Sequence, residues 1–247
     1  MRLVQTMNFQ HVMKMKPTFA SVGIAVGWVM LAGGASVVRA QSASAGLWVG
    51  TVSLNSVQDP QGGLTPSGGT FQFRILYHVN TAGEVRLLRD VVVMQRDHDN
   101  NAATAPVIAL VTDLTQLPRY TGIVRRSDGR RTGIRYAATA YDFTGNELLV
   151  QGKLELEKTL DYRLEAGENG ATNPFRHKYH PEHEKGRAYT RVVTVNFKGG
   201  TQTPTSTGVT RITGTYKETI TGVVTSDLNI AGSIELDRVS TATALNP

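Results

Sequence analysis

The chain has no cysteine in its 247 residues. Disulfides, thiol redox chemistry, cysteine-based zinc sites and iron–sulfur clusters are therefore excluded. So is the lipobox cysteine of a bacterial lipoprotein. Also missing are a Gly-x-Ser-x-Gly elbow, a phosphate-binding glycine loop and a dinucleotide fingerprint. No segment after residue 46 holds a sustained helical period. Acidic residues are absent from the first forty positions, where Arg2, Lys14, Lys16 and Arg39 supply charge of one sign.

What those forty residues contain is the order of a secretory signal. Basic residues come first, then an uncharged apolar run from Thr18 to Leu31, then small residues ending in Val38-Arg39-Ala40. This predicts a signal peptide over 1–40, cut between Ala40 and Gln41, with Ala43-Ser44-Ala45 as a second acceptable site. The alternative is an uncleaved anchor, since about twenty uncharged residues reach across a bilayer. Gly23, Gly27, Gly33 and Gly34 weaken that run. The leader also distorts the charge. The full chain has 26 basic and 20 acidic residues, but without the four leader cations 22 basic residues face 20 acidic ones. The high isoelectric point is thus no sign of nucleic-acid or anionic-membrane binding. The expected destination is outside the cytoplasm, with any membrane contact through an uncleaved leader alone.

Residues 41–247 read as a single all-β domain, an antiparallel β-sandwich of jelly-roll type or a flattened barrel. Leu47 to Leu54 opens with aromatic and β-branched residues. Phe71, Phe73, Ile75, Tyr77 and Val79 then alternate with polar partners, the period-2 mark of a strand with one buried face. Asn80-Thr81-Ala82-Gly83 is a turn, and 85–94 returns as the hairpin partner. Val107–Val111 is short, apolar and β-branched, hence a buried strand. Asp128-Gly129, within Ser127–Arg130, signals another hairpin. Segments 148–156 and 192–197 alternate as well, and 213–220 pairs with 230–239 through a turn near Ser226-Asp227. Three loops are expected, at 58–69, 96–106 and, long and irregular, around 167–187.

The last loop holds the densest chemistry. His177, His180 and His183 fall within seven residues, with Glu182 and Glu184 among them. Neutral imidazoles with one carboxylate make a shell for a divalent transition metal such as zinc, here His177, His180, His183 and Glu184. On an extended strand His180 would point away from the other two, so joint ligation needs the turn that Pro181 supplies. The competing reading is a solvated charged loop, in which Arg176, Lys178, Lys185 and Arg187 oppose a cation. Tyr179, flanked by Arg176 and Lys178, is then the contact patch for a partner.

The string Asn173-Pro174-Phe175-Arg176-His177-Lys178-Tyr179-His180-Pro181-Glu182-His183-Glu184 resembles the NPF(K/R)H(K/R)YHP(D/E)H(D/E) string of an uncharacterised module in exported bacterial proteins. Many of those proteins are large, multi-domain surface or secreted proteins. Gly46-Leu47-Trp48-Val49-Gly50 and Gly214-Thr215-Tyr216-Lys217-Glu218-Thr219-Ile220-Thr221-Gly222 are similar to that module's two ends. The resemblance spans residues 46 to 240 and implies a β-rich exported module with no stated activity.

Other sites read as ordinary surface. His183-Glu184-Lys185-Gly186-Arg187 carries Arg where a zincin helix needs its second His. Asp97-His98-Asp99 lacks the central Gly and distal Glu of a calcium loop and reads as a solvated turn. Glu147, Glu155, Glu157 and Asp161 offer paired acids for glycoside hydrolysis, or the solvent face of an edge strand. Trp48, Tyr77, Tyr120, Tyr136, Tyr141, Tyr179 and Tyr189 offer a sugar platform, with Trp48 assigned to the core. The sequence therefore reads as an exported, non-enzymatic β-module with an unknown surface or extracellular ligand. A metal-binding domain and a carbohydrate-binding module are its rivals.

Overall fold

The computed structural model describes residues 42–59, 62–96, 107–120, 124–125, 131–170, 173, 186–202, 209–223 and 225–247. The leader lies outside the described residues, as do the 97–106 loop with Asp97, His98 and Asp99, and the Ser127–Arg130 turn. Residues 174–185, with Arg176, His177, Lys178, Tyr179, His180, His183 and Glu184, lie outside them too.

The fold is all-β. Eight antiparallel strands close into a barrel: β1 (Gly46–Asp59), β2 (Gly62–Val79), β3 (Val85–Leu88), β9 (Glu147–Gly152), β10 (Thr159–Ala166), β11 (Tyr189–Gln202), β12 (Val209–Thr221) and β13 (Leu228–Ser240). Around the barrel the order is β1-β13-β12-β11-β10-β9-β3-β2, with β2 returning to β1. A three-stranded sheet is made of β5 (Val107–Val111), β4 (Asp90–Arg96) and β8 (Ile134–Ala137), and β6 (Val124–Arg125) pairs with β7 (Arg131–Thr132).

The alternation explains the closure. Inward positions carry Trp48, Val52, Ile75, Tyr77, Leu160, Tyr162, Val193, Val195, Tyr216, Ile234 and Leu236, which form one core inside the barrel. Such large side chains fill the interior of an eight-stranded barrel. Outward-facing Leu47, Leu76 and Leu88 are buried as well, because the small sheet lies over them with Val91, Val93 and Leu110. The two-layer packing expected of a sandwich is found in this one place. A 3-10 helix (Leu114–Arg119), capped by Asp113 accepting from the Thr115 amide, follows β5. Its Leu117 packs with Val92, Met94, Val111 and Tyr120 in a third cluster.

Four expectations need correction. The 85–94 return strand is broken at Arg89: Val85–Leu88 joins the barrel and Asp90–Arg96 starts the small sheet. Segment 148–156 stops at Gly152, whose φ of +97° favours glycine and where a Cβ would meet the Thr159 carbonyl oxygen at 2.0 Å. Glu155 and Glu157 therefore sit in the β9–β10 turn. Asp161 lies on β10, which has neighbours on both sides, so the edge-strand reading fails. The Pro- and Gly-rich stretch at 58–69 is no free loop. Ser56↔Pro66, Val57↔Thr65 and Gln58↔Leu64 extend the β1–β2 hairpin beyond a register shift at Leu54/Ser56.

Candidate functional site

Between β8 and β9 the chain leaves the small sheet and plugs the barrel. Tyr141 and Phe143, on this segment, belong to the barrel core. Arg89, at the break between β3 and β4, holds the plug from outside. Its Nη1 donates to the Phe143 carbonyl at 3.0 Å and the Gly145 carbonyl at 3.3 Å, and lies 3.9 Å from Asp142. Asn146 Nδ2 fastens the far end, donating to the carbonyls of Asp90 at 2.8 Å and Thr112 at 2.7 Å.

Inside, the plug joins a continuous polar array. Tyr77 and Tyr162 hydroxyls lie 3.0 Å apart, Tyr162 and Tyr141 3.2 Å, and Tyr141 and Tyr216 2.6 Å. Tyr216 then donates to Glu218 Oε2 at 2.7 Å. Each phenol has one hydrogen and the carboxylate accepts only, so the direction is fixed. Tyr77 donates to Tyr162, Tyr162 to Tyr141, Tyr141 to Tyr216, and Tyr216 to Glu218. Edge-on ring contacts brace the array. Phe73 stands 5.7 Å from Tyr141 and 5.8 Å from Tyr216, and Tyr141 stands 5.9 Å from Tyr162.

The array ends in an ion pair. Arg191 and Glu218 occupy inward positions of β11 and β12, in line with Val193 and Tyr216. Arg191 Nε donates to Glu218 Oε1. Its Nη1 donates to the Ala140 carbonyl at 2.6 Å, and its guanidinium lies 4.6 Å from the Tyr141 ring centre. The Glu218 side chain is 1% exposed and that of Arg191 14%, so water does little to screen the pair. Burial alone would loosen the Arg191 proton, but Glu218 overrides it and the guanidinium holds its proton more firmly than usual. Burial raises the affinity of all four phenols for their protons, and nearby negative charge adds to this at Tyr141, Tyr162 and Tyr216. Every phenol is protonated at neutral pH and both Glu218 oxygens are occupied. The array fixes a shape and supplies no base.

Above this pair lies an open groove of about 620 Å³, with Arg191 and Tyr141 among its lining and Arg89, Asp90, Leu114 and Arg135 around them. Arg135 grips Asp90 through Nε, 2.8 Å from Oδ2, so its charge is met within the protein. Leu114 is 46% exposed and offers an apolar contact.

The sequence-derived candidates fare differently. Trp48, Tyr77, Tyr120, Tyr141 and Tyr189 are buried and Tyr136 is half-buried, so these rings form no exposed sugar platform. The four acids are spread over β9, the β9–β10 turn and β10. Glu147 is held by Arg86 at 2.7 Å and by the Thr112 hydroxyl. Asp161 accepts from Thr194 at 2.7 Å and Thr159 at 3.3 Å. Among the described residues no three His, Cys, Asp or Glu side chains group as metal ligands.

The root of the histidine loop is described. Asn173, buried, donates from Nδ2 to the Gly167 carbonyl at 2.9 Å and the Arg187 carbonyl at 2.7 Å. The Gly186 amide donates to the Glu168 carbonyl at 2.8 Å. One side chain thereby ties the two arms of the loop into a neck. The sequence reading gave no role of their own to Arg191, Glu218 or Asn173. A charged residue in phase with inward-facing Val193 and Tyr216 was the available signal for the first two. No protein-family model matches the chain, and no curated protein sequence matches it.

Proposed function

We propose that this is an exported, non-enzymatic β-barrel module that binds or assembles at the cell surface through its outer face. The observation that carries the reading is the filled barrel. Trp48, Tyr77, Tyr141, Tyr162 and Tyr216 occupy the interior that a carrier of small molecules would leave open. Recognition then falls to the exterior, where the groove over Arg191 and Tyr141 combines a rigid floor with an exposed Leu114 and an exposed Arg135. The signal-like leader and the resemblance to an exported bacterial module agree with this reading.

The test combines fractionation with co-sedimentation. The chain is expected outside the cytoplasm, and purified protein is expected to sediment with bacterial cell envelopes. Leu114→Glu, on the groove rim, is expected to lose that binding while keeping the melting temperature. Retention of the chain in the cytoplasm, or a Leu114→Glu variant that sediments like wild type, would sink the proposal.

A metal at His177, His180, His183 and Glu184 is the second reading. The Asn173 neck favours it, because a loop with tied arms orders its ligands at lower entropic cost. Zinc is expected to raise the melting temperature at pH 7.5, and His180→Ala to abolish the rise while His98→Ala leaves it. No shift with zinc, copper or nickel would leave the loop a charged surface with Tyr179, Arg176 and Lys178 as its contact patch.

A further inference from the structure

After β13 the chain turns back across the outside of the barrel. Ala242 and Leu245 pack on the cluster of Leu47, Leu76, Val91 and Leu110, where the small sheet meets the barrel wall. A single bridge, Leu110 with Leu245, joins this segment to β5. Beside it the Asn246 amide donates to the Leu110 carbonyl at 2.7 Å. Asn246 Oδ1 accepts from the amides of Thr112 at 2.8 Å and Asp113 at 2.9 Å. The segment thus occupies the edge of β5 that β4 leaves open. Asn246 does this at a φ of +53°, a conformation that asparagine tolerates better than most residues.

His78, the one histidine among the described residues, lies beneath the segment. On β2 it takes the outward phase between inward-facing Tyr77 and Val79, opposite Leu47 of β1 and Arg86 of β3. It is 1% exposed. Its Nε2 meets the Ala242 carbonyl at 3.2 Å, and because a carbonyl only accepts, that nitrogen carries the hydrogen. Two charged groups act on the ring, Arg86 from β3 and Glu147 from β9, and they pair with each other at 2.7 Å. Glu147 also reaches Asn246 Nδ2 at 3.4 Å. Residues 241–247 contain no ionisable side chain. Glu147 favours a charged imidazole and Arg86 opposes it, so burial decides and weakens the hold of His78 on a second proton.

We propose that residues 241–246 form an acid-released strap, latched over His78 and lifting from the β5 edge when that imidazole becomes charged. A charged imidazole needs water or a full set of partners. The barrel wall beneath it is a hydrogen-bonded sheet, whereas the strap above hangs on one bridge and one asparagine, so lifting the strap is the easier route to hydration. Lifting also bares the backbone of an edge strand, a surface that pairs with extended chains. Acid therefore changes what the module presents. The open form takes the proton and the closed form resists it, so closure is complete above the ordinary histidine value near ~6.5 and weakens as pH falls below it. One proton taken up on opening raises the opening constant by up to about tenfold per pH unit.

Native-state hydrogen exchange on the full chain, corrected for intrinsic rates, reads this opening locally between about pH 7.5 and about pH 5. The amides of Thr112, Asp113 and Asn246, which bond across the strap, are expected to lose protection as pH falls, while those of β10, β11 and β12 keep it. His78→Gln keeps a side-chain N–H for the Ala242 carbonyl and removes the titration, so its strap amides are expected to be indifferent to pH. Asn246→Ala loosens the strap without touching the ring. By linkage, the ring resonances of His78 are then expected to titrate closer to the ordinary value than in the parent. Strap protection that ignores pH in the parent overturns the proposal, and so does a His78→Gln protein that opens with acid as the parent does. Equal loss in β10–β12 would show global unfolding in place of a strap. A His78 titration unmoved by Asn246→Ala would show that strap and ring are not coupled.

Discussion

The fixed direction of the phenol array predicts a gradient in the cost of breaking it. Tyr77 only donates, and its partner Tyr162 is neutral. Tyr77→Phe therefore forfeits one neutral hydrogen bond, a net loss of about 0.5–1.5 kcal/mol. Tyr216 accepts from Tyr141 and donates to a carboxylate with a 1% exposed side chain. Tyr216→Phe removes a charge-assisted bond and leaves the Tyr141 hydroxyl without an acceptor, for a loss of about 1.5–3 kcal/mol. Tyr162→Phe breaks two neutral bonds and falls between them. None of these changes opens a cavity larger than one oxygen, so packing cost stays small. Urea unfolding measures the order directly, with unchanged m values showing that the two end states are preserved. The Tyr77→Phe and Tyr216→Phe losses should also be non-additive, because cooperative polarisation couples the ends of the chain. If Tyr77→Phe costs as much as Tyr216→Phe, the array has no direction and the argument from single hydrogens fails.

Raised phenol affinities carry a pH signature. The buried tyrosines keep their protons in the folded state above the ordinary value near ~10, while the unfolded chain releases them there. Their contribution is thus complete below about pH 10 and falls as pH rises beyond it, by up to about 1.4 kcal/mol per pH unit for each phenol. Absorbance near the phenolate band should show them ionising together with unfolding, and independent ionisation in the folded state would contradict the assignment. Arg191→Met strands the Glu218 carboxylate and is expected to cost about 3–5 kcal/mol by chemical denaturation. Arg163→Ala, in the exposed pair with Glu165, should leave the unfolding midpoint unchanged, and a comparable loss at both sites would refute the burial argument. Intact-mass measurement on exported protein should find a mature chain starting at Gln41. A start at Gly46 would remove Ser44, whose carbonyl accepts from Trp48 Nε1 at 2.7 Å, and the two carbonyls held by Arg238.

The strand pattern was legible because alternation is local. Phe73, Ile75, Tyr77 and Val79 announce one buried face whatever the partner strand is. Closure was less legible, since a barrel and a sandwich need the same inward residues and differ in which strands meet last. The pairing of β3 with β9 joins residues 85–88 to 147–150 across the whole small sheet, and no local signal encodes it. The break at Arg89 is a similar case. Val85 to Met94 reads as one returning strand because apolar residues stand on both sides of Arg89-Asp90, one half buried inside the barrel and the other against its outer wall.

Closeness in the chain and a shared inward phase single out different groups of side chains. His177, His180 and His183 stand out because they are close in the chain, while Tyr77, Tyr162, Tyr141, Tyr216, Glu218 and Arg191 come from four separate strands and the plug. The inward phase was the usable clue. Arg191 precedes Val193 and Val195 by two-residue steps, and Glu218 follows Ile212 and Tyr216 in the same phase. A charged residue on the buried phase of a strand demands a partner on the same inner face, and the next strand offers one of opposite sign. Arg238 breaks that logic, since it continues the phase of Ile234 and Leu236 and meets no acid among the described residues. Two buried-phase arginines thus stand at remote positions along the barrel. Arg191 stiffens the plug through Glu218, and Arg238 covers Trp48 and holds the carbonyls of Ala43 and Ala45, which ties the start of the domain to β13.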